Sequence, residues 1–341
     1  MTVECGRIAR LALAVGFALY PVRCAQAAPQ PASPADTSAT IQAAQRQFDA
    51  GDYSAAITTL QQATSQGTPS AEVYFWLARS YYEVHDYDSA IAQAEKAVSL
   101  DPKNSVYHMW LGRTYGGKAD RENSFSAARK VKKEFEDAVQ LDPSNIAARR
   151  DLEEYCLDAP WIVGGSKDEA LEQVSGIAAL DPVEGHLARA LYDFSALKRP
   201  DLAESEYRQV LDAKPKRIEP YLEVANFYWR ENRPADLDAT IQAAGQASPG
   251  DLRLSYFRGV VGVLQNTNLA GAEKSLKLYL ASTPERSDWP SHAAAREWLG
   301  RLYELQGKRL EAAEQYRAAL QLDPKNKEAR DRLAKLGETS P

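Results

Sequence analysis

The sequence predicts an all-α fold: a right-handed solenoid of about eight helix-turn-helix repeats, finished by a C-terminal capping helix. Three observations lead there. The phrases "SLDPKN", "QLDPSN", "ALDP" and "QLDPKN" recur, each closing an Ala-rich amphipathic run. The prolines at the ends of these runs and their weaker relatives, Pro69, Pro102, Pro143, Pro182, Pro215, Pro249, Pro284 and Pro324, lie 33, 41, 39, 33, 34, 35 and 40 residues apart, so the base period is about 34. Finally, one pair of such helices cannot bury its apolar face alone, and stacking is what makes it fold.

From the N-terminus, Arg7 and Arg10 precede the apolar run "LALAVGFALY", and Ala25 and Ala27 supply an A-x-A pattern. This is the layout of a secretory signal, residues 1–27, with an apolar run too short for a lasting membrane span. Arg23 stands where a lipid-modified Cys24 would want a small residue. The expected location is therefore the periplasm, in preference to secretion or a lipid anchor. Cleavage leaves Cys156 as the one cysteine, expected to be a buried free thiol. Residues 28–38, rich in Pro, Ala and Ser, are expected to be a disordered tether. The solenoid is placed at 39–336 and a short disordered tail at 337–341. A net charge of −6 argues against a nucleic-acid partner.

Within 71–104, Tyr74, Leu77, Ala78 and Tyr81 share one face of a first helix, Asp86 and Tyr87 mark a turn, and Ala90, Ala94 and Ala97 line a second helix. Within 293–326, Leu299, Gly300, Tyr303, Gly307, Ala312, Tyr316, Ala319 and Pro324 fall at the same offsets. These residues resemble the tetratricopeptide repeat, from about residue 37 to the end, with the repeats near 146, 184, 218 and 252 degenerate. Small residues (Ala78, Gly112, Gly259 and Gly300; Ala56, Ala90, Ala170 and Ala312) let paired helices approach, and Leu77, Tyr81, Leu111 and Tyr115 fill the space beside them. Asp52 and Asp86 are placed to cap second helices, Asn104 and Asn145 to cap first helices. The closing "NKEARDRLAKLGE" reads as a capping helix with a charged outer side.

Three insertions break the period: about seven residues in "GGKADRENSFSAARK", about five in "APWIVGGSKDEA" (159–170), and about six in "ERSDWPSHA". The first two fall at the turn of consecutive repeats, so two long turns are expected to touch and form one bump. Gly164 and Gly165 before Ser166 and Lys167 invite a phosphate-loop reading, but the order is wrong and no strand precedes them. Ser166 and Glu169 instead match a capping box, Pro160 ends the preceding helix, and the glycines permit the reversal. The dodecamer resembles an APxIVGGxxDxA loop of some exported bacterial tetratricopeptide proteins. Trp161, Ile162 and Val163 are expected to fold back on the neighbouring insertion, against Phe125; the competing reading is an exposed docking knob.

No catalytic constellation is visible. His85, His108, His186 and His292 lie in separate repeats without metal-ligand spacing, no G-x-S-x-G occurs, and the carboxylates are scattered. The reading is a non-enzyme with no cofactor and no metal. The resemblance implies that a partner protein or peptide lies in a concave groove. By register the groove positions are Phe75, Arg79 and Tyr82, then Met109 and Arg113, then Tyr192, Leu222, Asn226 and Trp229, and finally Glu297 and Arg301. Arg79, Arg113 and Arg301 are expected to be free surface charges whose reversal spares stability. The paired Lys and Asn clamp that some relatives use for a terminal carboxylate is not found. The function expected is an envelope scaffold or adaptor; the alternative is a glycan- or peptidoglycan-binding protein that stacks sugars on groove aromatics.

Overall fold

The computed structural model describes residues 34–65, 70–282 and 284–337. The expected signal segment lies outside the described residues, as do 28–33 of the tether, Pro69 and the last four residues. Among the described residues there are seventeen α-helices, one 3-10 turn and no strand.

Sixteen helices form eight antiparallel pairs: α1 (Pro34–Asp49) with α2 (Tyr53–Ser65), α3 (Ala71–Glu83) with α4 (Tyr87–Leu100), α5 (Ser105–Glu122) with α6 (Phe125–Leu141), and α7 (Ile146–Asp158) with α8 (Lys167–Leu180). The series continues with α9 (Pro182–Ser195) and α10 (Pro200–Asp212), α11 (Glu219–Arg230) and α12 (Pro234–Ala247), α13 (Arg253–Gln265) and α14 (Leu269–Ser282), and α15 (His292–Leu305) and α16 (Arg309–Leu322). A seventeenth helix, α17 (Lys327–Lys335), closes the stack by burying Ala329 and Leu333 while most of its other side chains stay outside. The degenerate repeats are therefore complete pairs. Helix α1 starts at Pro34, so part of the expected tether is helical.

Small residues and caps act as their types dictate. A Cβ on Gly112 would sit 2.5 Å from the Phe135 ring, on Gly259 2.4 Å from Leu276, and on Gly300 2.5 Å from Tyr316. These are the close approaches that only glycine permits. Asp52, Asp86, Asn104 and Asn145 accept the backbone N–H groups of Ala55, Ser89, Val106 and Ala148. Cys156 is buried and free, and burial pushes its thiol up to about 11.

The first insertion does not make a long turn. It lengthens both helices, α5 to 18 residues and α6 to 17, and leaves a two-residue turn in which Asn123 adopts φ 53°. Lys118, Ala119, Arg121 and Glu122 are sound helix formers, so the extra residues propagate the helix. The second insertion is a true loop, with the 3-10 turn Trp161–Val163 between α7 and α8. It does touch α6: Lys132 Nζ donates to Gly164 O at 3.0 Å, and the Tyr155 hydroxyl lies between Ala128 O and Val163 O.

The third insertion runs back to the start of the fold. The Tyr53 hydroxyl donates to Glu285 O at 2.8 Å, while Ser287 donates through its N–H and hydroxyl to the two Glu83 oxygens at 2.9 and 3.0 Å. Pro284 packs so closely on Gly51 that a Cβ there would lie 2.3 Å from it. The first two repeats thus meet the segment before the last one, and the superhelix closes on itself.

Candidate functional site

The first helices of the repeats lie side by side, α1 with α3, α3 with α5, α5 with α7, α7 with α9, α9 with α11, and α13 with α15. They form the inner layer, and the second helices the outer one. In the C-terminal half, helices meet across this inner space. Arg150 on α7 donates to both oxygens of Glu223 on α11 at 2.9 Å. The Trp229 ring on α11 meets the buried Trp298 ring on α15 at 6.1 Å, and Arg301 lies 3.9 Å above Trp298 and 3.9 Å from Glu297. Each of the two inter-helix contacts skips a repeat, which requires tight curvature.

Open space remains in the N-terminal half. A cavity of about 870 Å³ lies between α3, α5, α6 and α7, bounded by Val163 at the 3-10 turn and by the strap residues Arg286, Ser287 and Asp288. A ladder of rings and guanidinium groups backs one wall, and Arg79, Trp110 and Arg113 are its members that reach the cavity. Arg79 sits 4.7 Å from the Phe48 ring, 4.4 Å from Trp76 and 4.6 Å from Trp110; Arg113 lies 4.9 Å from Trp110. Burial lowers the Arg79 pKa, and its Nε has no hydrogen-bond partner. Arg113 donates twice to Asp151, at 2.7 and 3.1 Å; burial opposes its charge, but Asp151 outweighs burial and the pKa is raised.

The opposite chemistry comes from α7. Asp151, Glu154 and Asp158 stand at i, i+3 and i+7, one face of a helix, and all line the cavity. Asp151 is satisfied by Arg113. Among the described residues neither Glu154 nor Asp158 has an ion pair or side-chain hydrogen bond. Glu154 still reaches solvent, but desolvation by the cavity walls first, then Asp151 and Asp158, push its carboxyl above its ordinary range.

Of the residues singled out from sequence, Arg79, Tyr82, Arg113 and Val163 line this cavity. Phe75 is beside it, 5.1 Å from Tyr107 and 6.2 Å from Trp110. Asn226 is exposed, and Trp229 and Arg301 engage Trp298. Met109 and Tyr192 are core residues, 5% and 7% exposed, and Leu222 packs against the C-terminal core. Adjacent helix positions point about 100° apart, so a register off by one turns a groove position into a packed one. Nor are Arg79, Arg113 and Arg301 free charges: each is stacked or paired, and their reversal would disturb the fold. Trp110, Glu154, Asp158 and the strap escaped the sequence reading. The signal was present for Glu154, which holds the ninth position of α7, as Arg79 and Arg113 do in α3 and α5.

The loop departs from expectation. Trp161 and Ile162 do not fold back; they are 84% and 52% exposed, and Phe125 is 64% exposed. Only Val163 turns in, because the 3-10 turn gives three successive side chains three directions. Its glycines are architectural. Gly164 has φ +107°, and a Cβ on Gly165 would lie 1.7 Å from Ala159 O. Ser166 caps α8 by accepting from Glu169 N at 3.3 Å, but the box is half formed: Glu169 pairs with Lys132 at 2.6 Å, and Ser166 N donates to Cys156 O. The N–H groups of Gly164, Gly165 and Ser166 all serve backbone carbonyls, and Lys167 donates to Ala196 O, so nothing there is left for a phosphate.

One group of potential metal ligands, His108, Glu134 and Asp137, exists among the described residues. Its contacts are complete without an ion: the His108 nitrogens meet Glu134 at 2.7 Å and Pro102 O at 3.2 Å, and Asp137 is held by Lys133.

A family model described as tetratricopeptide repeat matches residues 41–105, 77–115 and 264–327. No curated protein matches the chain significantly. Among solved structures, the APC/C hetero-tetramer Cut9-Hcn1 gives a TM-score of 0.50 at 14% identity, covering 90% of this chain and 57% of that one. The chain thus spans little more than half the length of that relative. A tetratricopeptide repeat protein from Parabacteroides merdae gives 0.46 at 17% identity, covering 78% and 98%, and the P58(IPK) TPR domain gives 0.32 at 14%, covering 89% and 97%. Identities this low speak for the fold alone. The chain is an all-α solenoid that carries tetratricopeptide repeats.

Proposed function

We propose that this protein is a non-enzymatic scaffold of the cell envelope that holds a segment of a partner protein in the cavity of its N-terminal half. Tetratricopeptide repeats generally mediate protein–protein contact. The observation that carries the reading is the cavity itself: it opens along the inner layer of the N-terminal half, and its walls combine rings, arginines and unpaired carboxylates. Aromatic and arginine side chains are the ones that most often carry interface energy. The glycan alternative draws less support, because the groove rings already have partners: Trp110 is stacked by Arg79 and Arg113, and Trp229 meets Trp298. Export rests on the N-terminal pattern of Arg7, Arg10, the apolar run and Ala25–Ala27.

Gly116 lines the cavity, and both Gly116 and Gly250 have open space where a side chain would begin. A photo-crosslinking residue at 116 is expected to give discrete protein adducts in cells, and one at 250, outside the cavity, to give none. Absence of adducts from 116, with the protein retained instead on isolated cell-wall polymer, would overturn the reading. N-terminal sequencing of the mature protein should start near Ala28, and a mature chain starting at Met1 would sink the export proposal.

A further inference from the structure

We infer that the partner segment presents an arginine or lysine side chain to the α7 face of the cavity, where Glu154 and Asp158 receive it. This rests on the cavity being the binding site, and goes further by fixing the chemistry of the occupant. The argument is charge complementarity within a shaped space. Six carboxylates line the cavity, from Glu83, Asp120, Asp151, Glu154, Asp158 and Asp288, against three guanidinium groups, from Arg79, Arg113 and Arg286.

The three arginines are engaged within the fold. Arg113 is bound to Asp151, Arg286 pairs with Asp288 at 3.0 Å, and Arg79 is wedged among rings. Glu83 is held by the strap Ser287. Among the described residues, Glu154, Asp158 and, on α5, Asp120 remain without an ion pair or side-chain hydrogen bond, although Arg113 and Arg150 reach Glu154 through space. Like charges at i and i+4 on a helix repel, so Glu154 and Asp158 are poised for a cation between them. A concave site walled by low-dielectric rings strengthens that attraction over what an open surface gives. An acidic tail, by contrast, would find among the cavity's arginines only Arg79 without a carboxylate partner, and that guanidinium is already stacked on the Trp76 and Trp110 rings.

A compact guanidinium or ammonium could also come from a free polyamine, so the test separates the two sources. Fluorescein-labelled peptides that differ only in carrying Arg, Lys, Gln or Glu at alternate positions would be titrated into the full-length protein at physiological ionic strength, read by anisotropy. Spermidine serves as the small competitor. The Arg and Lys peptides are expected to bind about tenfold or more tightly than the Gln peptide, with the Glu peptide weakest. The double variant Glu154→Gln, Asp158→Asn should lose most of that preference. The double variant Glu311→Gln, Glu314→Gln removes the same charge from the exposed side of α16, and should keep it.

Equal binding of Arg and Gln peptides, an equal loss in both double variants, or binding of spermidine without binding of peptide would overturn the inference. The peptide series needs no variant to fold, and circular dichroism of both doubles checks that they have. If crosslinks from position 116 are found while the charge preference is absent, the cavity remains the site and only its chemistry is refuted. If no crosslinks form from 116, the function itself is refuted.

Discussion

Glu153 should weaken this protein at neutral pH, and Glu153→Gln should strengthen it. The side chain is fully buried on α7, and neither carboxyl oxygen has a hydrogen-bond partner. Its nearest cation, Arg150 Nη1, is 3.9 Å away and belongs to a guanidinium already bonded to Glu223. Burial raises the pKa from an ordinary 4.5 to about 8; Arg150 pulls it down, but Glu223 and Glu154 push the same way as burial. Between those values the folded protein keeps a proton that the unfolded chain releases. Stability from this group is therefore complete below pH 4.5, falls as pH rises, and levels off above 8.

At about 1.4 kcal/mol per pH unit the loss is roughly 3 kcal/mol at pH 7 and roughly 5 kcal/mol above pH 8. Glutamine copies the neutral acid in shape and cannot ionise. The variant should match wild type near pH 4.5 and exceed it by those amounts at pH 7 and above. Urea unfolding followed by circular dichroism across that range measures the difference directly. A variant less stable than wild type at pH 8 would show that Glu153 is ionised and held by Arg150, and the burial argument would fail.

Trp161→Ala should change stability by no more than about 0.5 kcal/mol, since the indole is exposed; a loss of several kcal/mol in a thermal melt would mean that it packs after all. Gly165→Ala should cost at least about 1–3 kcal/mol, because the new methyl meets Ala159 O and the backbone must move; an unchanged melting point would refute that contact. Ser166→Ala should cost about 1 kcal/mol through the lost cap, measured in the same melts. Arg113→Ala should cost at least about 2 kcal/mol by leaving Asp151 without its partner, and Arg113→Ala with Asp151→Ala should recover part of it. If the double variant falls by the sum of the two singles, the pair is not coupled.

The architecture was legible because its cause is local. Proline spacing, Asp and Asn at caps, and alanine or glycine where helices cross are each decided within one repeat, so eight pairs and a cap could be read from residues alone. The first insertion was misread for a related reason: extra residues in a turn and extra residues in two helices change the spacing equally, and only the helix formers at 118–122 told them apart. The loop glycines were legible, since positive φ and close backbone approach leave a mark on residue type. The fate of Trp161 was not, because an apolar residue is compatible with either face of a 3-10 turn.

The candidate site divides the same way. That the first helices would face inward followed from the repeat, and Arg79, Tyr82 and Arg113 do line the cavity, though the two arginines are stacked or paired where free charges were expected. Met109 and Tyr192 went astray because a shift of one position on a helix exchanges groove for core. What only the tertiary structure decided is long-range: the strap from Pro284 to Asp288 reaching Gly51, Tyr53 and Glu83, the meeting of Trp229 and Trp298 across the C-terminal half, and the cavity that the strap helps to wall between α3, α5, α6 and α7. Those contacts join residues up to 232 positions apart. They depend on how a small rotation at each repeat accumulates along the stack, and that sum is written in no single repeat.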